Sequence, residues 1–166
     1  MTEPDSDKKI MQKAGALLAR RAYSRGEMRN KLEQLGEQQQ IELVLDRLEQ
    51  LNLLNDFDYA YNSACRWIKH DGWGPVRVYR RLLQRQLPGA TAEAALQQVR
   101  HEIGDAEALE AYLTKRIKTQ PMPAHRKGIQ KLIASLQRRG YPHEAIWDVL
   151  RQKIPAGAWQ NFDTGE

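Results

Sequence analysis

The stretch HDGWGPVRVYRRLLQRQL, residues 70–87, holds the groups best suited to binding a partner. Arg77, Arg80, Arg81 and Arg85 fall at steps of three, one and four, so on a helix Arg77, Arg81 and Arg85 share a stripe with Arg80 beside it. Leu82 points elsewhere. Four guanidiniums on one short helix repel one another unless something anionic lies across them. A merely solubilising surface is the competing reading. Arg126, Lys127, Lys131, Arg138 and Arg139 repeat the arrangement further along the chain. Trp73, set between Gly72 and Gly74, reads either as a hydrophobic plug under a helix junction or as an interface anchor, since Trp and Arg dominate binding energy at protein surfaces.

Chemistry of other kinds finds no support in the spacing. There is no G-x-S-x-G, no P-loop, no dinucleotide glycine fingerprint and no H-E-x-x-H. HEIGD at 101–105 lacks a second His one turn on, so it cannot present two imidazoles to zinc. His70, His125 and His143 stand singly, as surface or capping residues do. Cys65 is the single cysteine, without a disulfide partner or metal-ligand spacing, and is expected to be a buried thiol rather than a nucleophile. Glu42, Asp46 and Glu49 recur at helical intervals opposite Leu45 and Leu48, which makes a wet face or a surface for a basic partner. Neither an enzyme nor a cofactor is expected.

The elements that must hold these residues are helices. Ile10, Ala14, Leu17, Leu18 and Ala22 mark one face of a first helix; Ser24 reads as the N-cap of a second, with Gly36 as its stop. Ile41 to Leu51 supply a third. Asn55 caps a fourth that runs to Ile68, and Pro75 suits the first position of a fifth, ended by Pro88 and Gly89. The remaining periodic segments bring the total to about nine. Leu32–Gly36, Leu82–Gln86 and Leu136–Gly140 align, as do LPGATAEAAL and YPHEAIWDVL, which points to a repeat of about fifty residues with three helices each. Chance likeness among amphipathic helices is the other explanation. The expected fold is all-α, an elongated and curved row of tandem three-helix units over residues 8–53, 54–104 and 105–154, with a tail over 155–166 whose Trp159 and Phe162 either dock or wander.

Totals agree with that picture. Of the 166 residues 41% are apolar and 7% aromatic, enough for helix packing and lean for one thick core. Twenty-six Lys and Arg against 21 Asp and Glu give a net charge of +5, which mildly favours an acidic partner. The start MTEPDSDKK is polar, and no apolar run approaches membrane-spanning length, so no membrane is expected and the cytoplasm is the expected compartment.

LLNDFDYAYNSACRWIKHDGWGPVRVYRRLLQRQL resembles the central signature of the bacterial regulatory protein RecX family, through Leu54, Asn55, Asp56, Tyr59 and Ala60 and then Gly72, Trp73, Gly74 and Pro75. SRGEMRNKLEQLG resembles its opening motif, and LQRRGYPHEAIWDVL its C-terminal one. Four departures stand out: Leu53 for an aromatic, Asn55 for Asp, Trp73 for Tyr, and Gln86 for the Gly that usually closes the second unit's turn. The resemblance implies a non-catalytic modulator that binds the recombinase RecA and its filament on single-stranded DNA. It further implies restraint of filament growth, ATP hydrolysis, strand exchange and co-protease activity, in recombination, repair and the SOS response. An elongated solenoid can touch several protomers at once, adding weak contacts through effective concentration. A helix-turn-helix-like protein acting directly on DNA is the alternative, with weak DNA contact also compatible with the first reading. A monomer is expected.

Overall fold

The computed structural model describes residues 3–159, so Phe162 and most of the tail lie outside the described residues. Nine α-helices are present among them: α1 (Glu3–Leu18), α2 (Arg25–Leu32), α3 (Gln38–Gln50), α4 (Asp56–Lys69), α5 (Pro75–Gln84), α6 (Gly89–Ile103), α7 (Asp105–Ile117), α8 (Arg126–Arg138) and α9 (His143–Lys153). A single 3-10 turn, Ala156–Ala158, follows, and the described residues contain no strand. No helix among them is long and apolar enough to cross a membrane.

The helix starts obey local chemistry. Ser24 caps α2 in a reciprocal box: its hydroxyl accepts from the Glu27 amide at 3.0 Å while the Glu27 carboxylate accepts from the Ser24 amide at 3.3 Å. Asn55 does the same work for α4, its side-chain oxygen accepting from the Asp58 amide at 3.1 Å. Pro75 opens α5, where a missing N–H leaves nothing unsatisfied. Two stops differ from expectation. Helix α2 ends at Leu32, ahead of Gly36, whose Cα instead lies against Ile10; and Gly89 belongs to the first turn of α6, because the chain already reverses at Gln86 with φ +59°.

The chain packs as two compact units. Unit 1 takes the residues up to Asn62 together with Arg81–Ala95; unit 2 takes Ser63–Arg80 and the chain from Leu96 onward. In unit 1 α1 and α2 pack on α3 and on each other, around Ile10, Met28, Leu32, Leu45 and Leu48. In unit 2 α7 and α8 pack on α9, with Leu109, Leu113, Ile129, Leu136, Ile146 and Leu150 fully buried. The aligned leucines Leu32, Leu82 and Leu136 are each 0% exposed, so the periodic anchor is a core position every time. The unit boundaries fall inside α4, α5 and α6, and α5 contributes its first part to unit 2 and its last turn to unit 1. Cys65 is half-buried rather than buried. Trp159 docks, its ring 5.3 Å from that of Trp147 and its indole N–H donating to the Ile154 carbonyl at 3.3 Å.

Candidate functional site

In unit 2 the segment Gly72–Val76 is a joint built on backbone contact. The first amides of a helix have no partner within it. Here the Gly74 amide donates to the Arg139 carbonyl at 2.8 Å and the Val76 amide to the Gly140 carbonyl at 3.1 Å. That approach needs bare backbone on both sides. A Cβ on Gly74 would overlap the Gly140–Tyr141 peptide, and one on Gly140, already at φ +89°, would overlap the Arg77 backbone. Trp73 lies across the joint: its ring stacks on Trp67 at 5.4 Å with 26° between planes, and the Arg77 guanidinium sits 4.2 Å from its centroid on the ring face. The half-buried indole is therefore a plug toward Trp67 and a platform for Arg77 at once.

Unit 1 contains the corresponding joint between the start of α2 and the turn after α5. The Ser24 hydroxyl donates to the Arg85 carbonyl, and Gly26 lies so close to Gln86 that a Cβ there would overlap it. Charges fasten this joint. Glu27 accepts from Arg85 at 2.9 Å and from Arg21 at 3.3 Å; burial alone would raise its pKa, but these hydrogen bonds hold it below the ordinary value. One helix face away, Arg25 reaches Glu42, Asp46 and Glu49 at 2.7, 2.6 and 2.5 Å, and its amide donates to Asp56 at 2.7 Å. Arg29 also bonds Glu42, and that bond, with a second from Arg25, outweighs partial burial and lowers the carboxyl to about 2. The acidic stripe of α3 is thus one side of a largely exposed ion-pair network that ties α2 to α3, with its carboxylates already matched by arginines.

The structure sorts the ten candidate partner-binding residues. Arg77 and Arg80 are exposed on α5, and among the described residues no carboxylate pairs with either. Arg81 is half-buried and donates to Gln84 at 3.0 Å. On α8, Lys127, Lys131 and Arg138 are exposed and share a stripe opposite Ile129, Leu132 and Leu136, while Arg126 is half-buried. Two of the ten are engaged within the fold. Arg85 is bound to Glu27. Arg139 donates to the Asp71 and Gly72 carbonyls at 3.1 and 3.3 Å and stacks 4.3 Å over the Tyr112 ring. Each precedes a turn residue with positive φ that is packed on another segment, so its guanidinium meets that segment instead of solvent.

Sequence spacing missed two features. Trp67 is six residues from Trp73, and only the break at Gly72 turns that interval into a stack. Lys69 and His70 share a hollow with Lys115 and Arg116, residues far apart in the chain with no motif linking them. Among the described residues no three His, Cys, Asp or Glu side chains converge as a metal site would require.

Comparison with known proteins agrees with this architecture. Residues 11–48 match the family description of the first three-helix domain of RecX, and residues 104–150 that of the third. Over 152 residues the chain is 33% identical to the regulatory protein RecX of Prosthecochloris aestuarii, covering 90% of this chain and 97% of that protein. With the regulatory protein RecX of Pseudomonas putida KT2440 it shares 32% over 147 residues, 88% and 92% of the two chains. The crystal structure of RecX from Lactobacillus salivarius superposes with a TM-score of 0.79 over 90% of this chain and 97% of that one, at 21% identity.

Proposed function

The chain belongs to the RecX family, and on that premise we propose that it is a regulator that binds the recombinase RecA and its filament on single-stranded DNA and restrains their activities. The observation that carries this reading is the near end-to-end match to relatives named regulatory protein RecX. The surface supports it. A guanidinium stacked on an indole keeps its positive charge and its in-plane donors, so Arg77 on Trp73 is held in place yet open to an anionic partner. Arg80 on α5 and Lys127, Lys131 and Arg138 on α8 extend the cationic surface.

The role needs no reacting group. Three-helix modules over 8–53, 54–104 and 105–154 would each contribute contacts to a repetitive partner, and linked weak contacts add through effective concentration. The test is RecA ATPase on single-stranded DNA with increasing amounts of this protein. Inhibition at protein well below the RecA concentration is expected; none at equimolar protein overturns the proposal. Titration with naked DNA across salt separates it from a sequence-reading DNA-binding role, which requires tight binding with sequence preference.

A further inference from the structure

We propose that unit 2 carries a second binding site, a phosphate-binding cleft for a single nucleic-acid strand, where the end of α4 faces the end of α7. The proposal goes beyond the RecA reading and does not depend on it. The cleft is a hollow of about 340 Å³ whose walls include Lys69, His70 and Asp71 on one side and Lys115, Arg116 and Thr119 on the other. That volume lies at the lower end of the range for ligand sites, about 300 Å³ and upward. Lys69, Lys115 and Arg116 bring three permanent cations against the one carboxylate of Asp71, and among the described residues no ion pair joins any of these four. Three cations against one carboxylate favour an anion in the space they share.

A helix C-terminus is ordinarily a poor place for an anion, because its free carbonyls carry partial negative charge. At the end of α4 and just beyond it, the carbonyls of Lys69, Asp71 and Gly72 are already covered. The Lys115 ammonium donates to the Lys69 carbonyl at 2.9 Å, and Arg139 donates to those of Asp71 and Gly72. An ammonium has three donors, so Lys115 keeps two for a ligand. The floor is also closely packed: Gly72, at φ +64°, lies against the Tyr112 ring where any Cβ would overlap it, and Arg139 stacks on the same ring. A preorganised site loses little entropy on binding.

A strand fits better than an isolated anion. A shallower hollow lined by Cys65 and Arg66 shares Lys69, His70 and Asp71 with the cleft, so the cationic path continues along α4. Two of the three cations are lysines, point charges that accept a phosphate in any orientation and read no sequence. The side-chain amide of Gln120 adds a neutral donor of the kind that contacts sugar and phosphate, while the Thr119 hydroxyl is spent on the Arg116 carbonyl at 3.1 Å.

The experiment is fluorescence anisotropy of labelled oligo-dT with the full chain and no RecA, across salt. Sequence-indifferent binding is expected, with Kd on the order of 10⁻⁶ to 10⁻⁴ M at physiological salt. Lys69→Glu should weaken it roughly tenfold, and adding Lys115→Glu should weaken it further while the log-log salt slope flattens by about 0.7 for each phosphate no longer neutralised. Lys8→Glu with Lys13→Glu makes the same charge change on exposed positions of α1 and should cost less than about twofold. Lys115 also holds the Lys69 carbonyl, so circular dichroism is recorded for each chain. Lys69→Glu breaks no hydrogen bond or ion pair described within the fold, and it decides the matter if the double variant unfolds. Equal losses in the α1 and cleft variants overturn the proposal by showing general charge attraction only. Polyglutamate competing as well as oligo-dT at equal charge overturns it too, by assigning the cleft to an acidic protein. RecA inhibition is not scored here, so failure of this site leaves the regulatory reading to its own test.

Discussion

The two joints of this protein solve one geometric problem with different chemistry. In each, the start of a helix lies against the turn that ends another, and an arginine precedes that turn: Arg85 in unit 1, Arg139 in unit 2. Arg85 answers a carboxylate, Glu27, and the turn residue after it is Gln86 at φ +59°. Arg139 answers two carbonyls and an aromatic face, and the residue after it is Gly140 at φ +89°. Charge neutralised inside a joint stabilises it and is lost to any partner. Charge held on a ring remains available, as for Arg77 on Trp73, and the proposed binding role therefore falls to the unpaired cations of unit 2, whereas Arg25, Arg29 and Arg85 of unit 1 are paired within the fold.

The bluntest comparison is between the anchors. Leu82→Ala and Leu136→Ala each remove a fully buried leucine, one per unit, and each should cost about 2 to 5 kcal/mol in urea unfolding. A cost near zero for either would mean that its unit is not packed around that position. Next comes Gly140→Ala, which combines left-handed strain with overlap on the Arg77 backbone and should cost about 2 to 4 kcal/mol.

Charge reversal separates folding from binding. Arg77→Glu together with Arg81→Glu should weaken binding to RecA filaments by about tenfold or more while the helical dichroism stays intact. Unchanged binding would show that the contacting face lies elsewhere, with the α8 stripe the next to test. Acid should expose the other half of the contrast. Glu42 titrates near 2 in the folded chain, below the ordinary 4.5, so its stabilisation is complete above the ordinary value and disappears as pH falls through about 2. Glu42→Gln should flatten the dependence of the urea midpoint on pH across that window; an identical profile in both chains would dismiss the network as a source of stability. The smallest effect, opposite in sign to that of Gly140→Ala, belongs to Gln86→Gly. It removes a non-glycine residue from left-handed backbone and should stabilise unit 1 by about 0.5 to 1 kcal/mol, read as a rise in the same midpoint.

Much of this was legible in the residues. Helix faces followed from the spacing of Leu32, Leu45, Leu82 and Leu136, because burying an apolar stripe is the dominant local requirement of a helix. Ser24, Asn55 and Pro75 announced their helix starts, since caps act within a few residues. Gly36 misled, because a glycine after an apolar run resembles a stop while its actual use is close approach to Ile10. Arg85 and Arg139 read as surface cations because helical spacing reports which side a residue faces and says nothing of what lies there.

From the chain alone came the all-helical class, the caps, the core leucines and the family likeness, all set by interactions among near neighbours or by a pattern repeated along the sequence. Folding in three dimensions decided which arginines are consumed by carboxylates or carbonyls, that Trp67 stacks beneath Trp73, and that Lys69 and Lys115 share one cleft. Those pairings join residues whose separation in sequence bears no relation to their separation in space, and a charge has meaning for binding only once its neighbours are in place.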